Sequence, residues 1–583
     1  MPNPLHLWAL QNRRAGERRR KPRPVAVPTT IPASDAVFLM LRRMRLPFVV
    51  VITTFSACTA GMMLMPGTDG QGHPYRLTLF DAFYQMTITL TTVGYSEVPH
   101  AFSYPQRMWL SLSIFLLVVS WAYAIGVFFA LIQDVAFQDA LAAQRFRRRV
   151  RRLTEPFFLI AGFGQAGRTV GTELDMRDRR FVVVDKQEGR IQSIPTAPLH
   201  ADVAALEGDC MIPAVLGVAG LGLPGCEAVL ALTDNDEANL AVVMTATLLR
   251  PDVPVLARCT DLRIRARMRI FKPLAVIDPD DRYGDYLALA LHKPVVHQLL
   301  MWLMDNEQTR LPPLRRDLTA GRWVVFGDGD FAEQVTADLE QAAVAVDWVG
   351  QGDDDPDIST AVGLVAGTEN DTTNIALAEH ARQTNPDAHI IVRQQTSANK
   401  ALLAALGVES VYVAPELVAR EVLARVLTPV FWSFVEQAQQ QDDEWAGQLR
   451  DWLVKRCGRH TPVRDVLTLV RAQAPAVVEW LEAGRVFTLA DLMRDPADRE
   501  TFLRAWPITI IRGTDLILAP PPETPLAVDD QILLVGTTEG IAAVSEVCFH
   551  SAAVEYVATG RHVPSTWLWR RLTAHRRSAP AVS

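Results

Sequence analysis

Two uncharged stretches stand out in an otherwise mixed pattern of apolar and polar residues. No charged residue lies between Arg45 and Asp69, or between Arg107 and Asp134. About 20 consecutive apolar residues cross a bilayer as a helix, and a charge at mid-bilayer costs about 3 kcal/mol. The pattern therefore predicts two transmembrane helices, at about 46–65 and 108–133. A buried helix of a soluble protein is the alternative for either stretch alone.

Arginines border both predicted spans. Arg42, Arg43 and Arg45 precede the first span, and six arginines between residues 145 and 152 follow the second. Positively charged flanks stay on the cytoplasmic side of a membrane. This predicts a multi-pass protein of the plasma (inner) membrane, in the lipid bilayer, with both termini in the cytoplasm and residues 66–107 at the external side.

The segment between the spans is too apolar for a plain loop. LFDAFYQMTITL (79–90) has the length of a helix too short to cross a bilayer, which indicates a re-entrant helix. It leads into the polar segment Thr91-Thr92-Val93-Gly94-Tyr95-Ser96-Glu97. Backbone carbonyls can replace the hydration shell of an ion, and Gly94 allows backbone conformations closed to residues with a Cβ.

This segment resembles the selectivity filter of the potassium channel family, T-x-G-Y-G followed by an acid. The order of span, pore helix (79–97 with the filter) and span resembles the two-span members. The resemblance implies a filter of Thr91, Thr92, Val93, Gly94, Tyr95 and Ser96. It also implies K+ as the permeant ion at Thr92, Val93, Gly94 and Tyr95, and a homotetramer, because one such strand cannot surround an ion. Ser96 departs from the usual second glycine, and a chance pentapeptide in a loop is the alternative.

Two residues near the inner half of the second span are further candidates. Gly126 lies where the family often has a flexible gating hinge, and a packing glycine between helices is an equal alternative. Asp134 lies at the inner end of the span, where four copies would ring the pore mouth and concentrate cations. A simple helix-end charge is the alternative for Asp134.

After the arginine run, a strand pattern leads into a glycine-rich turn. FFLIAGFGQAG places three glycines in a G-x-G-x-x-G frame between a strand and a helix, and FVVVD ends in Asp185. Such glycines let a phosphate approach a helix N-terminus, and the acid accepts hydrogen bonds from ribose hydroxyls. This predicts a site for NAD(H) or an adenine nucleotide, formed by Gly162, Phe163, Gly164, Gln165, Gly167 and Asp185. A Rossmann-like domain that keeps the glycines only for packing is the alternative.

The same pattern begins again in RWVVFGDGDFA, which holds Gly327, Gly329 and Ala332 in an equivalent frame. Later positions match at an offset of 135 residues: Asn235-Asp236 with Asn370-Asp371, Asn239 with Asn374, Pro251 with Pro386, and Arg258 with Arg393. The glycine motifs are offset by 165, so the second copy is shorter by about 30 residues. Its second strand ends in Val349-Gly350 where the first copy has Asp185. We therefore expect the second copy to be structural.

The two copies resemble the RCK family, the regulator-of-potassium-conductance domains, over roughly residues 154–430. A stretch at 508–540 resembles the small C-terminal subdomain of such proteins, after a mostly helical stretch at 429–507. The implied fold class is a membrane α-helical pore followed by α/β Rossmann-like tandem domains and a small α+β C-terminal subdomain. In chain order the expected parts are a basic cytoplasmic arm (1–45), the pore (46–135), a linker (136–153), the first RCK domain (154–310), the truncated second (321–428), the helical segment with the C-terminal subdomain (429–550) and a poorly ordered tail (551–583).

Composition refines this picture in three ways. Of 583 residues, 58 are Lys or Arg and 65 are Asp or Glu, and the net charge of −7 argues against a nucleic-acid partner. The mean hydropathy of +0.10 suits a few spans attached to a large soluble part. The six cysteines form no CxxC pair. Divalent cations are a rival ligand class, since oxygens of Asp278, Asp280 and Asp281, or of Asp353, Asp354 and Asp355, suit calcium, with a solvated acidic loop as the alternative.

Together these features indicate a ligand-gated potassium channel and not an enzyme. A membrane-anchored NAD-dependent oxidoreductase is one alternative, but the sequence has no recognisable Ser/Tyr/Lys or Cys/His arrangement and the filter-like segment would have no role. A nucleotide-binding regulatory subunit of a separate potassium transporter is another, although such a subunit needs no filter of its own.

Overall fold

The computed structural model describes residues 26–29, 36–69, 71–94, 96–97, 99–305, 309–314, 318–351 and 357–562. The N-terminal elements are α1 (Ala36–Leu64), β1 (Gly67–Thr68), β2 (Pro74–Tyr75), α2 (Leu79–Leu90), α3 (Tyr104–Ile132) and α4 (Val135–Arg151). Helices α1 and α3 contain the stretches long and apolar enough to cross a membrane, Arg42–Leu64 and Tyr104–Ile132. The predicted linker at 136–153 is largely the helix α4.

The two long helices pack against each other and against the short helix between them. Cys58 and Met62 of α1, Met86 of α2 and Leu117 of α3 belong to one buried cluster. Many other large apolar side chains of α1 and α3 are exposed in the single chain, and Phe115 is 73% exposed. Apolar surface of this extent is normally covered by lipid or by further subunits.

Helix α1 begins at Ala36, within the arm that was predicted for residues 1–45. The arginines at 42, 43 and 45 are therefore part of the helix that enters the membrane. Pro47 lies inside the helix, where it removes one backbone hydrogen bond. The predicted boundary between the arm and the first span was later because the prediction used only the run of apolar residues. The helix itself begins earlier and includes the charged turn before that run.

Part of the N-terminal arm is docked on the domain that follows the membrane part. Val27 packs against the buried cluster of that domain. A β-carbon at Gly217 would come within 1.9 Å of the carbonyl oxygen of Pro28, and one at Gly222 within 3.3 Å of Val27. Glycines at these two positions therefore let the segment at 26–29 lie directly on the domain surface.

The first α/β unit is a six-stranded parallel sheet in the order β5-β4-β3-β6-β7-β8. Its elements are β3 (Phe157–Ala161), α5 (Gln165–Asp175), β4 (Arg180–Asp185), α6 (Glu188–Gln192), β5 (Ala204–Glu207), α7 (Pro213–Val218), β6 (Cys226–Ala231), α8 (Asp236–Leu249), β7 (Val255–Arg258), α9 (Leu262–Ile270) and β8 (Ala275–Ile277). Every residue of β3 is buried. A strand covered on both faces reads as a continuous apolar run, which explains FFLIA.

The second α/β unit is a parallel sheet in the order β10-β9-β11-β12-β13. Two helices lead to it, α10 (Pro279–His292) and α11 (Pro294–Met304), and its elements are β9 (Arg322–Phe326), α12 (Asp330–Gln341), β10 (Ala345–Val349), β11 (Gly363–Ala366), α13 (Asp371–Thr384), β12 (His389–Gln394), α14 (Lys400–Ala405), β13 (Ser410–Val413) and α15 (Ala414–Leu427). In the described residues this sheet has no counterpart of β5, which agrees with the shorter second copy.

A buried asparagine makes the same hydrogen bonds in both units. The Asn239 side chain accepts from the backbone N–H of Thr233 and donates to the carbonyl of Arg258. The Asn374 side chain accepts from the N–H of Thr368 and donates to the carbonyl of Arg393 in the same way. Each asparagine thus ties the carboxyl ends of two neighbouring strands together, which gives the 135-residue offset a physical basis.

The two units exchange helices. Tyr283 and Leu287 of α10, which follows the first sheet, pack with Phe331 in the core of the second unit. Val418 and Val422 of α15, which follows the second sheet, pack in the core of the first unit. Each unit is therefore completed by a helix from the other, and the tandem behaves as one interlocked body.

The C-terminal subdomain has an antiparallel sheet in the order β14-β17-β15-β16. Its elements are α16 (Pro429–Ala438), α17 (Asp443–Cys457), β14 (Val463–Thr468), α18 (Pro475–Glu482), α19 (Leu489–Leu492), β15 (Ala505–Arg512), β16 (Asp515–Leu518), β17 (Gln531–Gly536), α20 (Thr538–Phe549) and α21 (Ser551–Thr559). The predicted fold class is confirmed: a membrane helical part, tandem α/β units and a small α+β subdomain.

One expectation for this region, a mostly helical stretch at 429–507, needs an addition, and another was wrong. The stretch at 429–507 contains the strand β14, which is held by its pairing with the distant β17. The tail predicted from residue 551 begins with the helix α21, whose Val554 and Val557 are buried in the subdomain core. Helices α20 and α21 together are also apolar enough for a bent membrane span, but their buried side chains belong to this core.

Candidate functional site

The short helix α2 ends at the filter-like segment. Its first turn is capped by Thr78, whose hydroxyl accepts from the N–H of Asp81 and donates to the Asp81 carboxylate. At the other end, the N–H groups of Val93 and Gly94 both point to the carbonyl of Ile88, at 3.0 and 3.4 Å. The helix therefore directs its partially negative C-terminal end towards the segment, an arrangement that favours a cation.

The backbone of the segment is left-handed at two positions. Gly94 has a φ of 66° and Thr92 a φ of 58°. A β-carbon at Gly94 would meet no atom within 4 Å, so the conformation and not the space requires a glycine there. The side chains of Thr91, Val93 and Ser96 are exposed in the single chain, and Tyr95 lies outside the described residues.

An ion pair that the sequence pattern did not reveal follows the segment. Arg107 contacts both oxygens of Glu97 at 2.9 and 3.0 Å, and Glu97 also accepts from the backbone N–H of Phe102 at 2.7 Å. These hydrogen bonds, that from Arg107 first, lower the pKa of Glu97. The acid after the filter-like segment thus ties the segment to the first turn of α3. The acid was visible in the motif, but its partner ten positions on was not.

The two candidates in the second span have different surroundings. Helix α3 is continuous through Gly126, and a β-carbon there would meet no atom within 4 Å of the same chain. Asp134 caps α4 by accepting from the N–H of Phe137 at 3.2 Å, and it also pairs with Arg43 of α1. These contacts are those of a helix-end charge that joins α1 to α4. A role at the pore mouth for Asp134, and a hinge at Gly126, stay predictions.

The three glycines of the first turn have different reasons to be glycine. A β-carbon at Gly162, which has a φ of 97°, would lie 2.7 Å from the backbone of Thr233, and one at Gly167 would lie 2.1 Å from the carbonyl oxygen of Gly162. Close packing therefore explains these two. At Gly164 the nearest atom would be Arg190 at 3.7 Å, an ordinary contact. Gly164 is thus the glycine that leaves room over the turn.

The N-terminus of α5 is suited to an anion. Its N-cap is Gly164, which supplies no side-chain hydrogen bond, and its first turn holds no acidic residue. The first N–H groups of a helix lack intrahelical partners and carry the positive end of the helix dipole. Gln165 and Phe163 flank Gly164 as predicted from the motif. This geometry is the one that holds phosphate groups in dinucleotide-binding folds.

Asp185 lies at the end of β4, beside the turn. One oxygen of its carboxylate accepts from the backbone N–H of Phe163 at 2.6 Å, and the other accepts from the N–H of Gln187 at 2.8 Å. The side chain is 3% exposed. With the contact from Arg190, the carboxylate accepts three hydrogen bonds. Because a carboxylate offers about four acceptor positions, one more hydrogen bond can be accepted.

Two arginines near the turn were not predicted as site residues. Arg190 lies 3.2 Å from Asp185 and 3.8 Å from Asp234, and its guanidinium faces Gly164. Arg258, at the carboxyl end of β7, has a buried Nε without a hydrogen-bond partner. Arg190 adds positive charge beside the helix N-terminus, and a guanidinium nitrogen of Arg258 lies 3.5 Å from the carbonyl oxygen of Thr233, whose backbone lies next to Gly162. In the sequence, Arg258 stood out only because it recurs as Arg393 in the second copy, and Arg190 was part of no motif.

The corresponding turn of the second unit is chemically different. The indole N–H of Trp348 donates to the carbonyl of Gly327 at 2.8 Å, so that an aromatic ring lies against the turn. The first turn of α12 carries Asp330 and Glu333, which oppose the binding of an anion at that helix N-terminus. Gly329 has a φ of 99°, and no atom lies within 4 Å of its would-be β-carbon.

The acidic residues considered for calcium are engaged with partners in the same chain, and Asp278 and Asp281 share Arg265. Asp278 caps α10, Asp280 accepts from the hydroxyl of Tyr412, and Asp281 pairs with Arg265. In the part of the chain that the structure describes, no group of three or more His, Cys, Asp or Glu side chains is arranged to hold a metal ion. The run at 353–355 lies outside the described residues.

Known proteins match both parts of the chain. Residues 49–136 match the family described as Ion channel, and residues 158–277 and 355–414 match the family described as TrkA-N domain. Potassium channel protein 1 of Methanocaldococcus jannaschii is 21% identical over 217 residues, which cover 37% of this chain and 60% of the relative. An uncharacterized protein of Methanothermus fervidus is 22% identical over 247 residues, 42% of this chain and 37% of the relative. The chain therefore spans less than two thirds of the length of these relatives.

A solved structure, the GsuK channel bound to NAD, covers 88% of this chain and 100% of its own, at 16% identity and a TM-score of 0.41. In chain order, a segment that matches the ion channel family is thus followed by two segments that match the TrkA-N domain family. These matches confirm the predicted resemblance to two-span potassium channels that carry cytoplasmic RCK domains.

Proposed function

We propose that the protein is a potassium channel that conducts K+ passively and is gated by a nucleotide. The observation that carries this proposal is the segment at 91–97, which lies at the C-terminal end of a short helix between two membrane helices. The same chain presents an open, positively charged helix N-terminus at the first glycine turn. A pore and a ligand site in one chain fit a gated channel.

The pore needs several copies of the chain. A single segment offers carbonyl groups from one side, and an ion that has lost its water needs them all around. The exposed apolar faces of α1 and α3 provide surface for such an assembly. A homotetramer is the assembly that we propose, in the inner membrane with both termini in the cytoplasm, and Thr92, Val93, Gly94 and Tyr95 would hold K+.

The ligand that we propose for the first turn is NAD(H) or another adenine nucleotide. Phosphate groups would lie over Gly164 at the N-terminus of α5, with the guanidinium of Arg190 beside them, and a ribose hydroxyl would donate to Asp185. The second unit is proposed to be structural, because Trp348 lies against its turn and two acidic residues occupy its helix start.

Binding would act on the pore through the interlocked tandem. Arg190 already bridges Asp185 and Asp234, so a phosphate would compete for its guanidinium and shift the short helix α6 that carries it. Helix α15 packs on the same unit, and α4 leads from α3 to β3. A ligand moves such a system only by binding one arrangement more tightly than another.

Flux and binding measurements on the pure full-length protein test the proposal. We expect K+ and Rb+ flux from liposomes that responds to an adenine nucleotide, and calorimetric binding of that nucleotide to the same preparation. Binding without any flux would support a regulatory subunit of another transporter. Flux without nucleotide binding would retain the pore and remove the proposed ligand.

A further inference from the structure

A small cleft beside the first unit is lined by four cationic side chains. Its volume is about 270 Å³, and its charged lining consists of Arg269, Lys272, Arg282 and Arg425. The rest of the lining is the segment at 273–276, and none of the lining residues is acidic. We call this site the basic cleft.

Two of the arginines are held by ion pairs with one buried carboxylate that does not itself line the cleft. Glu421 of α15 is 2% exposed; its Oε2 lies 3.2 Å from Nε of Arg282, and its Oε1 accepts from Arg425 at 2.8 Å. Arg282 also contacts Asp285, and Arg425 contacts Glu436 and the ring of Trp432. These carboxylates do not line the cleft, so they orient the two guanidinium groups without filling it.

The other two cations have no such compensation. Within the described residues, neither Arg269 nor Lys272 makes an ion pair with a carboxylate. Lys272 has a φ of 52°, and its N–H donates to the carbonyl of Arg269 at 3.1 Å. A left-handed conformation costs a non-glycine residue about 1 kcal/mol or more, and such strain concentrates at functional positions.

We propose that the basic cleft binds the phosphate group of a small anion and is a second ligand site of the protein. Arginine forks match the oxygens of a phosphate, and a lysine adds a compact charge. Two fixed guanidinium groups and two uncompensated cations therefore suit a doubly charged group better than a chloride ion. The remaining side chains of the lining, at 273–276, are apolar, so the four cations and the phosphate they attract carry the recognition.

The basic cleft is separate from the glycine turn. The turn lies at the carboxyl ends of the parallel strands, next to Ala161 and Asp185, whereas the segment at 273–276 enters the edge strand β8 from its amino end. The cleft also joins three parts of the interlocked tandem: α9 with its following loop, α10 through Arg282, and α15 through Arg425. An anion held there would favour the arrangement in which both exchanged helices are docked.

Calorimetry with inorganic pyrophosphate on the full-length protein in phosphatidylcholine nanodiscs tests this site. We expect the double variant R269S/K272S to bind pyrophosphate at least tenfold more weakly than the wild type, which corresponds to about 1.4 kcal/mol. The matched control is R263S/R267S, which removes two cations from helix α9 outside the cleft. A second control is Arg190→Ser, which removes the arginine at the glycine turn.

Loss of affinity only in R269S/K272S supports the proposal. Three results would overturn it. An equal loss in R263S/R267S would show a general charge effect, and a loss only in Arg190→Ser would place the anion at the glycine turn. No binding of pyrophosphate to the wild type would leave the cleft without a ligand. Adding phosphatidic acid to the nanodiscs distinguishes the source of the phosphate. If the cleft binds a lipid headgroup, phosphatidic acid will weaken the binding of pyrophosphate; if it binds a soluble anion, the affinity for pyrophosphate will not change.

Discussion

The carboxylate of Asp185 accepts a hydrogen bond of 2.6 Å from the backbone N–H of Phe163. The end of β4 is thereby tied to the glycine turn that follows β3. Because the same carboxylate contacts Arg190, the acid, the turn and the arginine form one connected unit. Any ligand that uses one of them acts on the other two.

Replacing Asp185 separates its structural and binding roles. In Asp185→Ala the N–H groups of Phe163 and Gln187 lose their acceptor, so we expect a loss of about 1–3 kcal/mol in stability together with weaker nucleotide binding. Asp185→Asn keeps one acceptor oxygen and should retain more of both. Thermal unfolding and calorimetry with NAD(H) and ADP measure the two effects. Unchanged nucleotide affinity in Asp185→Ala would move the ligand to another site.

The glycines of the turn give a matched pair of substitutions. Gly164→Ala meets only ordinary contacts, so we expect an unchanged unfolding temperature and a nucleotide affinity reduced about tenfold, because the methyl group occupies the space over the helix N-terminus. Gly167→Ala would push against the carbonyl of Gly162 and should destabilise the unit by about 1–3 kcal/mol. Full affinity in Gly164→Ala would show that no phosphate lies there.

Arg190 should recognise the phosphates and not the base. Arg190→Gln is expected to weaken ADP binding about tenfold or more, since hydrogen bonds to charged groups contribute about 1.5–3 kcal/mol, and to leave adenosine binding unchanged. Arg177→Gln, which removes an arginine paired with Glu173 on the same unit, is the control. An equal loss for adenosine and ADP would contradict a phosphate contact.

Much of this architecture follows from local sequence signals. The two uncharged stretches, the short helix before residue 91 and the glycine frames are all local, and each lies where the pattern predicted. The repeated asparagines were visible as an offset, and the hydrogen bonds of Asn239 and Asn374 explain it.

Contacts between distant residues were beyond the sequence. Three features depend on partners far along the chain: the packing of Val27 and Pro28 on the first α/β unit, the strand β14 and the helix α21. The approach of Arg190 to Gly164 depends on where the short helix α6 lies relative to the glycine turn. Periodicity describes which face of an element is apolar, but it does not say what covers that face.

Acid should weaken the packing around His297 of α11, which lines a cavity together with residues of α10 and α15. Burial lowers the pKa of His297 to about 4, and the nearby His389 adds to the effect. The folded pKa lies below the unfolded value of 6.5, so the unfolded chain binds the proton first, and stability falls as the pH drops from about 6.5 towards 4. The unfolding temperature of His297→Gln should therefore fall less between pH 7 and 5 than that of the wild type. The exposed His292→Gln should behave like the wild type, and a parallel fall in all three proteins would refute the assignment.

The central claim is that the segment at 91–97 conducts potassium, and one flux measurement tests it most directly. Gly94→Ala and Gly72→Ala both place a methyl group on a glycine with positive φ and open space around it, but only Gly94 lies in the segment. In liposomes that hold equal amounts of assembled protein, we predict K+ and Rb+ flux from the wild type and from Gly72→Ala, and none from Gly94→Ala. Undiminished flux from Gly94→Ala, or no flux from the wild type with any adenine nucleotide, would contradict the account.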